Sequence, residues 1–523
     1  MQSARMQRDW PVDRARAPFH LSIMDGSVPY KYISSIARFF SVWCMLFCLS
    51  GCSGFFSGNR EVPISQLSMN ELTHFFVTSD FGFSIPFLND RKPGTIVFVM
   101  NFDGTNNDRE QVPPGETKTV VAQLFDRIEG NQVDKPPRYP GSMVRKAYLR
   151  GPGCADSYWC LLDQAFGRSS SATADDAFAQ LKRFIAENPQ ATEVKVLVIG
   201  FSRGAATARH FLNKVYQAST QSTLGTSAPV WSSAILIETV ATGQHGILEL
   251  TLPPNVEFAL NLVAKNETRA LFPPVIDADP DYERYTNGLK VYGIKKRIFT
   301  VRLPGAHSDL GDSYDSGAGP HVSKVAINII EKMGLKTPCS GFCPDDLVDI
   351  SVLKPFDGCS GAGGQLNKRM VSDGLHDSRG KLDLLMGAPS PYSKGFHRED
   401  DAVQAAPMTD ELADRLFWHI NDQVNARSSD VATITEFTQR NNFVFTRSSG
   451  STDWKQIESD GQSKGRLGYS LGVPALLFKA GKLPLPEAVL ETLKTEKGDV
   501  ILEAALFKCR FHWFINGYIP GDQ

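Results

Sequence analysis

The stretch "VIGFSRGAAT", residues 198–207, decides how this chain is read. It closes a β-branched aliphatic run, Val194, Val196, Leu197, Val198 and Ile199, that reads as a buried strand. Ala205, Ala206, Ala208 and Phe211 then open a helical pattern. A serine at so sharp a strand-to-helix turn has its hydroxyl pushed into the open. Its neighbours must be small, because the backbone crowds itself there. Gly200-Phe201-Ser202-Arg203-Gly204 therefore fits the G-x-S-x-G nucleophile elbow, with Ser202 as the expected nucleophile. Patterns of five residues with two glycines also arise by chance. The strand before this one and the helix after it are what give it weight.

The sequence around the elbow alternates strands and helices. Thr95 to Met100 of "TIVFVMNFDGTNND" are β-formers, and Asp103-Gly104-Thr105 break that strand with turn chemistry. A second strand is expected in "SMVRKAYLRGPG", residues 142–153. "ADDAFAQLKRFIAEN" spaces Ala177, Phe178, Leu181, Phe184 and Ile185 as a helix does and leads into the elbow strand. "SAILIETVATG" and "KRIFTVRLPGAHSD" read as further buried strands, with a helix expected between them in "NVEFALNLVAKNETRALF", residues 255–272. Strand and helix in this order imply an α/β fold with a mostly parallel central sheet and flanking crossover helices. The expected organisation is an N-terminal extension with a signal or lipobox segment over 1–52, a linker over 53–90, the catalytic core over 91–330 and, over 331–523, the C-terminal part of the same catalytic domain with lid-like or accessory elements.

A serine hydroxyl attacks nothing unaided. A histidine must take its proton and a carboxylate must orient that histidine. His307 follows the strand "RIFTVRL" in an exposed Pro-Gly loop, which favours it as base over His376 in "DGLHDSRG" and His397 in "KGFHRED". Glu238 ends the strand "AILIE" between the serine and His307 in chain order, and a carboxylate at a strand's carboxyl end faces the site crevice. Asp277 and Asp279 in "VIDADPDY" are the alternative acids, while Asp309 is expected to pin its own loop. For the oxyanion, one donor is the backbone N–H of Arg203, the residue after the nucleophile. The other is expected from the Asp103-Gly104-Thr105 turn, where Gly104 permits close approach; a plain β-turn with an Asx cap is the alternative there.

Composition bounds the rest. In 523 residues, 55 Lys and Arg balance 57 Asp and Glu, and a net charge of −2 argues against a nucleic-acid partner. The 42% hydrophobic content suits a globular protein with a full core. No Walker loop, dinucleotide fingerprint or zinc-type spacing stands out, so neither cofactor nor metal is expected. Lys31 and Arg38 precede the apolar run "FFSVWCMLFCLSGC", residues 39–52, as in a secretory signal, and the run is shorter than the ~20 residues of a membrane-spanning helix. Its end, Leu49-Ser50-Gly51-Cys52, reads as a lipobox with Cys52 as the lipidated residue, or else as an ordinary signal peptide; Met24 is the expected start. Of nine cysteines, six lie beyond this segment, and Cys154/Cys160 and Cys339/Cys343 are close enough to close short loops in an oxidising compartment, or are buried thiols.

Five motifs combine into a resemblance. "FDGTNND", "GFSRGAATAR", "IETVATG", "NETRALFPP" and "PGAHSDLGDSY" occur in the order and spacing of the type VI secretion phospholipase effectors. The likeness covers about residues 92–320. It implies an α/β-hydrolase fold and lipid-ester cleavage, with Ser202, Glu238 and His307 in the catalytic positions and Asp103 beside them. The family pattern has aspartate where Glu238 stands, and its histidine loop continues with glycines where this chain has Asp312 and Ser313. The export signal is a further departure and suggests an envelope-anchored relative rather than an injected toxin. The expected activity is thus a phospholipase or esterase on membrane lipids, lipid-anchored through Cys52 or periplasmic in a bacterial envelope. Its expected partners are a phospholipid or other lipid ester, the membrane surface, and a secretion or immunity partner left unspecified. A non-lipid carboxylesterase, an acyltransferase and a catalytically silent envelope protein are the alternatives.

Overall fold

Strands buried on both faces organise this molecule. In the computed structural model, residues 57–63, 84–153, 169–278, 297–314, 318–337, 374–385, 387–391, 400–409, 411–412, 444–447 and 454–457 are described. The strands are β1 (Ser57–Pro63), β2 (Thr95–Phe102), β3 (Asn131–Gln132), β4 (Val144–Leu149), β5 (Glu193–Phe201), β6 (Val230–Ile237) and β7 (Val256–Ala264). They continue with β8 (Val275–Ala278), β9 (Ile298–Leu303), β10 (Gly374–Arg379), β11 (Asp401–Gln404), β12 (Val444–Arg447) and β13 (Trp454–Ile457). The helices are α1 (Val120–Arg127), α2 (Ser170–Ala186), α3 (Arg203–Thr220), α4 (His307–Leu310), α5 (Gly319–Lys332) and α6 (Lys381–Leu385).

Seven strands form one sheet in the order β3-β4-β2-β5-β6-β7-β9, every neighbouring pair parallel. Side chains alternate across it. Val97, Val99, Leu197, Ile199, Ile235 and Ile237 pack with Val120, Val121 and Leu124 of α1 and Val322, Val325 and Ile329 of α5. Ile96, Phe98, Met100, Val194, Val196 and Val198 pack on the other face with Leu181 and Phe184 of α2 and Phe211 and Val215 of α3. Helices on both faces explain why these strands are continuous apolar runs rather than polar–apolar alternations.

From β2 the chain moves outward to β3 and β4, then crosses back to β5 and proceeds through β6, β7 and β9 on the other side. The strand order therefore reverses between β2 and β5. In an open α/β sheet the crevice outside the carboxyl ends of the strands at that reversal is where ligands bind. The loops after β2, β5, β6, β7 and β9 all leave from this edge.

Three expectations need correction. Residues 256–264 form β7, not a helix: apolar residues on both faces and a bulge opposite Ser232 and Ser233 hide the strand period, and its polar Glu257 and Asn261 are buried, bonded to Lys195 of β5 and Arg209 of α3. The 53–90 segment is not only a linker. Residues 57–63 pair antiparallel with β10, while Ile85, Phe87 and Leu88 are buried in the core, with Ile85 N–H bonded to Lys332 O at 2.8 Å and Leu88 N–H to Met333 O at 2.9 Å. The core likewise does not stop at residue 330. Met333, Leu335 and Leu375 complete the apolar cluster on the face opposite α2 and α3, and β11 runs parallel to β8 on the other side, where Val275 and Val403 pack with Ala206 of α3.

Candidate active site

The elbow is built as its residue types require. Ser202 has φ 56° and ψ −127°, a left-handed conformation that costs a non-glycine residue about 1–3 kcal/mol and persists only where the surroundings hold it. Those surroundings are hydrogen bonds: Ser202 N–H donates to Ile237 O at 2.9 Å, and Ser202 O accepts from Val240 N–H at 3.2 Å and Ala205 N–H at 3.1 Å. A methyl group on Gly204 would lie 2.2 Å from the Asp103 carbonyl oxygen, so only glycine lets helix α3 start against the β2 loop.

The structure brings Ser202, His307 and Glu238 together. Ser202 Oγ lies 2.9 Å from His307 Nε2, and His307 Nδ1 lies 3.0 Å from Glu238 Oε2. Glu238 also sits at positive φ, 48°, with its N–H bonded to Leu262 O at 2.8 Å and its Oε1 accepting from Ala264 N–H. One carboxylate oxygen is thus fixed by β7 and the other is left for the imidazole. The three residues are only 3%, 4% and 0% exposed for Ser202, His307 and Glu238. Burial holds the His307 imidazole below the ordinary histidine value of 6.5, opposed by the Glu238 hydrogen bond and charge and aided by the Arg269 charge. The ring is therefore neutral at neutral pH and able to accept a proton.

Two phenyl rings enclose that imidazole. Phe201 stands 4.9 Å from it between centroids and Phe272 meets it edge-on at 5.0 Å. Phe201, the variable residue of the elbow, also fills the space beside Gly311, where a methyl group would come within 2.2 Å of its ring. The elbow thereby wedges the histidine loop in place.

The Asp103-Gly104-Thr105 turn is held by its own aspartate. Asp103 is buried and accepts from Gly104 N–H at 2.8 Å, from Thr119 Oγ1 at 2.8 Å, and from the Tyr148 hydroxyl at 2.6 Å. Burial raises this carboxyl to about 6 against the three hydrogen bonds. The Gly104 N–H expected at the oxyanion is therefore already engaged by the carboxylate of its own neighbour. Among the described residues the Thr105 N–H makes no hydrogen bond, while its hydroxyl accepts from the Arg203 guanidinium at 3.0 Å.

Of the other carboxylates considered, Asp277 is committed elsewhere. It accepts both Arg209 amino groups at 2.7 Å and Asn261 at 3.0 Å, buried between β7 and α3. Asp309 is bound within the histidine loop, with its Oδ2 2.8 Å from Ala306 N–H, and to His376. His376 is buried and faces Asp309 rather than Ser202. Asp279, His397 and Cys52 lie outside the described residues, as do the pairs Cys154/Cys160 and Cys339/Cys343.

Sequence reasoning assigned no part to Glu267 and Arg269. Glu267 Oε2 accepts the backbone N–H of His307 at 3.2 Å, and both its oxygens are held by Arg269, whose guanidinium lies 3.7 Å over the Phe272 ring. The signal was the Glu-Thr-Arg of "NETRALF" directly after a buried run, a charge pair where a solvated loop would be polar but unpaired. Among the described residues no cluster of three or more His, Cys, Asp or Glu is arranged to hold a metal ion.

A parallel sheet reversing between β2 and β5, with a serine at a left-handed turn after the second of these strands, defines an α/β-hydrolase-like protein. Residues 97–220, from β2 through α3, match the family model of the type VI secretion system phospholipase effector, Tle1-like, catalytic domain. The matched segment carries Ser202 and the Asp103 turn; Glu238 and His307 lie beyond it. Among curated proteins no sequence matches the chain. Three solved structures are similar at low level. A Tle1 effector bound to the VgrG spike from the type 6 secretion system is 22% identical over 44% of this chain and 52% of that chain, with a TM-score of 0.30. A protein from Pseudomonas aeruginosa is 14% identical over 86% and 69%, with a TM-score of 0.35. A cutinase-like protein from Cryptococcus sp. is 12% identical over 47% and 97%, with a TM-score of 0.20. The likeness thus spans about half the length of the Tle1 effector chain.

Proposed function

We propose that this chain is a serine ester hydrolase that cleaves membrane lipids, with Ser202 as nucleophile, His307 as base and Glu238 as the carboxylate that orients it. The observation that carries this reading is the continuous hydrogen-bonded line from Ser202 Oγ through both His307 nitrogens to Glu238. The lipid as substrate rests on the phospholipase family match over residues 97–220.

In this mechanism Ser202 Oγ attacks the ester carbonyl carbon while its proton passes to His307 Nε2. Glu238 stabilises the imidazolium that results. The oxyanion of the tetrahedral intermediate is met by the N–H groups of Arg203 and Thr105. Collapse breaks the bond to the alcohol, which leaves with the proton from His307 Nε2 and an acyl group on Ser202. Water then gives its proton to the same nitrogen and attacks the acyl carbon; collapse breaks the bond to Ser202 Oγ, which takes the proton back from His307 Nε2 as the fatty acid leaves. Asp103 acts at one remove by fixing the turn that presents Thr105.

A fluorophosphonate probe tests the first half of this reading. The purified protein is expected to form a single adduct that mass spectrometry maps to Ser202, and to release fatty acid from at least one member of a phospholipid panel. A protein inert to both is no hydrolase. The pH dependence follows from the burial of His307. Only the neutral imidazole accepts the serine proton, so a lowered value extends activity downward. The acid limb of kcat/KM for a short-chain ester is expected to bend below pH 6.5, the ordinary histidine value, rather than at or above it.

We place the protein at a bacterial membrane, anchored through Cys52. Two or more acyl chains anchor stably, since each buried CH₂ contributes ~0.8 kcal/mol. Among the described residues no helix is long and apolar enough to cross a membrane. Wild type is expected to fractionate with membranes and resist salt extraction, and Cys52→Ser to lose that attachment. Salt extraction of the wild type would exclude an apolar anchor.

A further inference from the structure

We propose that His376, which lies on β10 and is bonded to Asp309, is a positioning residue for the reaction proposed above. It acts through Asp309 on the loop that carries His307. The loop is a short helical turn whose first residue is His307 and whose third is Asp309. Asp309 folds back on the start of that turn, its Oδ2 accepting the Ala306 N–H at 2.8 Å, so the carboxylate sets the backbone entering His307. Asp309 is fully buried, and a buried carboxylate keeps its orientation only if its remaining lone pairs are satisfied.

His376 supplies those partners twice. Its Nδ1 lies 2.6 Å from Asp309 Oδ1 and its backbone N–H donates to Oδ2 at 2.9 Å. In the arrangement we propose, the imidazole donates from Nδ1 and the carboxylate oxygen accepts. The imidazole is in turn held flat by Tyr314, stacked at 3.9 Å and 23°, whose hydroxyl meets Ser378 Oγ at 3.0 Å on the same strand. The strand is anchored by β1, with His376 opposite Glu61. A second histidine–carboxylate pair thus stands behind the first. It transfers the rigidity of a remote two-stranded ribbon to the loop from which His307 reaches Ser202.

The test separates position from mere stability by the length of the replacing side chain. The Asn Nδ2 hangs from the γ carbon as the His Nδ1 does, so His376→Asn preserves a donor at Asp309 Oδ1, whereas the amide of His376→Gln stands one carbon farther out. On a soluble short-chain ester, His376→Ala and His376→Gln are expected to lower kcat by about 10–100-fold, the scale of a misplaced catalytic group, with KM within about twofold. His376→Asn is expected to stay within about threefold of wild-type kcat. All three are compared below their melting temperatures; if His376→Ala does not fold, the Asn and Gln variants decide. Equal kcat in the Asn and Gln variants, whether retained or lost, overturns the positioning role. Ser202→Ala serves as the control that keeps the two readings apart. An inactive Ser202→Ala with a fully active His376→Ala overturns positioning alone, while turnover surviving in Ser202→Ala overturns the hydrolase reading and the positioning role with it.

Discussion

Ser202→Ala is expected to abolish fluorophosphonate labelling and to cut ester turnover by at least about 10³-fold. The loss is large because the variant removes the attacking oxygen itself. His307 Nε2, 2.9 Å from Ser202 Oγ, would be left facing a methyl group with no proton to accept. Stability should barely change. Alanine meets the same positive φ of 56° that serine does, and the hydrogen bonds that hold the turn come from the backbone. Thermal melting and labelling measured on the same preparation separate these outcomes, and full activity in the variant would sink the assignment of Ser202.

His307→Ala is expected to match the serine variant in severity, and the double variant to be no worse than either. Members of a nucleophile–base–carboxylate set act as a unit, so the first loss removes what the second would have cost. Glu238→Gln keeps the shape but removes the charge that favours the imidazolium, and should reduce kcat less than loss of the base. Asp277→Asn tests the rival acid. Its carboxylate is bound to Arg209 through both oxygens, so neutralising it leaves a buried guanidinium poorly compensated. The expected result is a lower melting temperature with kcat of the folded enzyme retained. A crippled kcat in Asp277→Asn alongside an active Glu238→Gln would reverse the assignment.

Much of the fold could be read along the chain because each element carries its own signal. The aliphatic run from Val194 to Ile199, the turn at Asp103-Gly104-Thr105 and the helical spacing of Leu181, Phe184 and Ile185 are all local patterns, and strands and helices stand at those places. The strand of residues 256–264 escaped for the opposite reason. A strand packed on both faces and bulged at one point has no clean period of two, so only its neighbours β6 and β9 determine what it is.

Ser202, Glu238 and His307 were each nameable because each follows a strand at a chemically marked loop. What the sequence alone determined was therefore the type of the elements with a clean local period, β7 excepted, and the residue types able to take part in ester chemistry. Only the tertiary structure decided which of them meet. Whether His307 faces Glu238 or Asp277 depends on strand order and register across the sheet, and those are long-range properties. The same holds for the 57–63 and 374–379 strands. They are more than 300 residues apart, and neither has a local pattern that names the other as partner. The seat of His376 behind Asp309 follows from that pairing. Local propensity chooses φ and ψ one residue at a time, whereas the burial of polar groups such as Asp309 and Asp277 is satisfied only when distant segments close upon them.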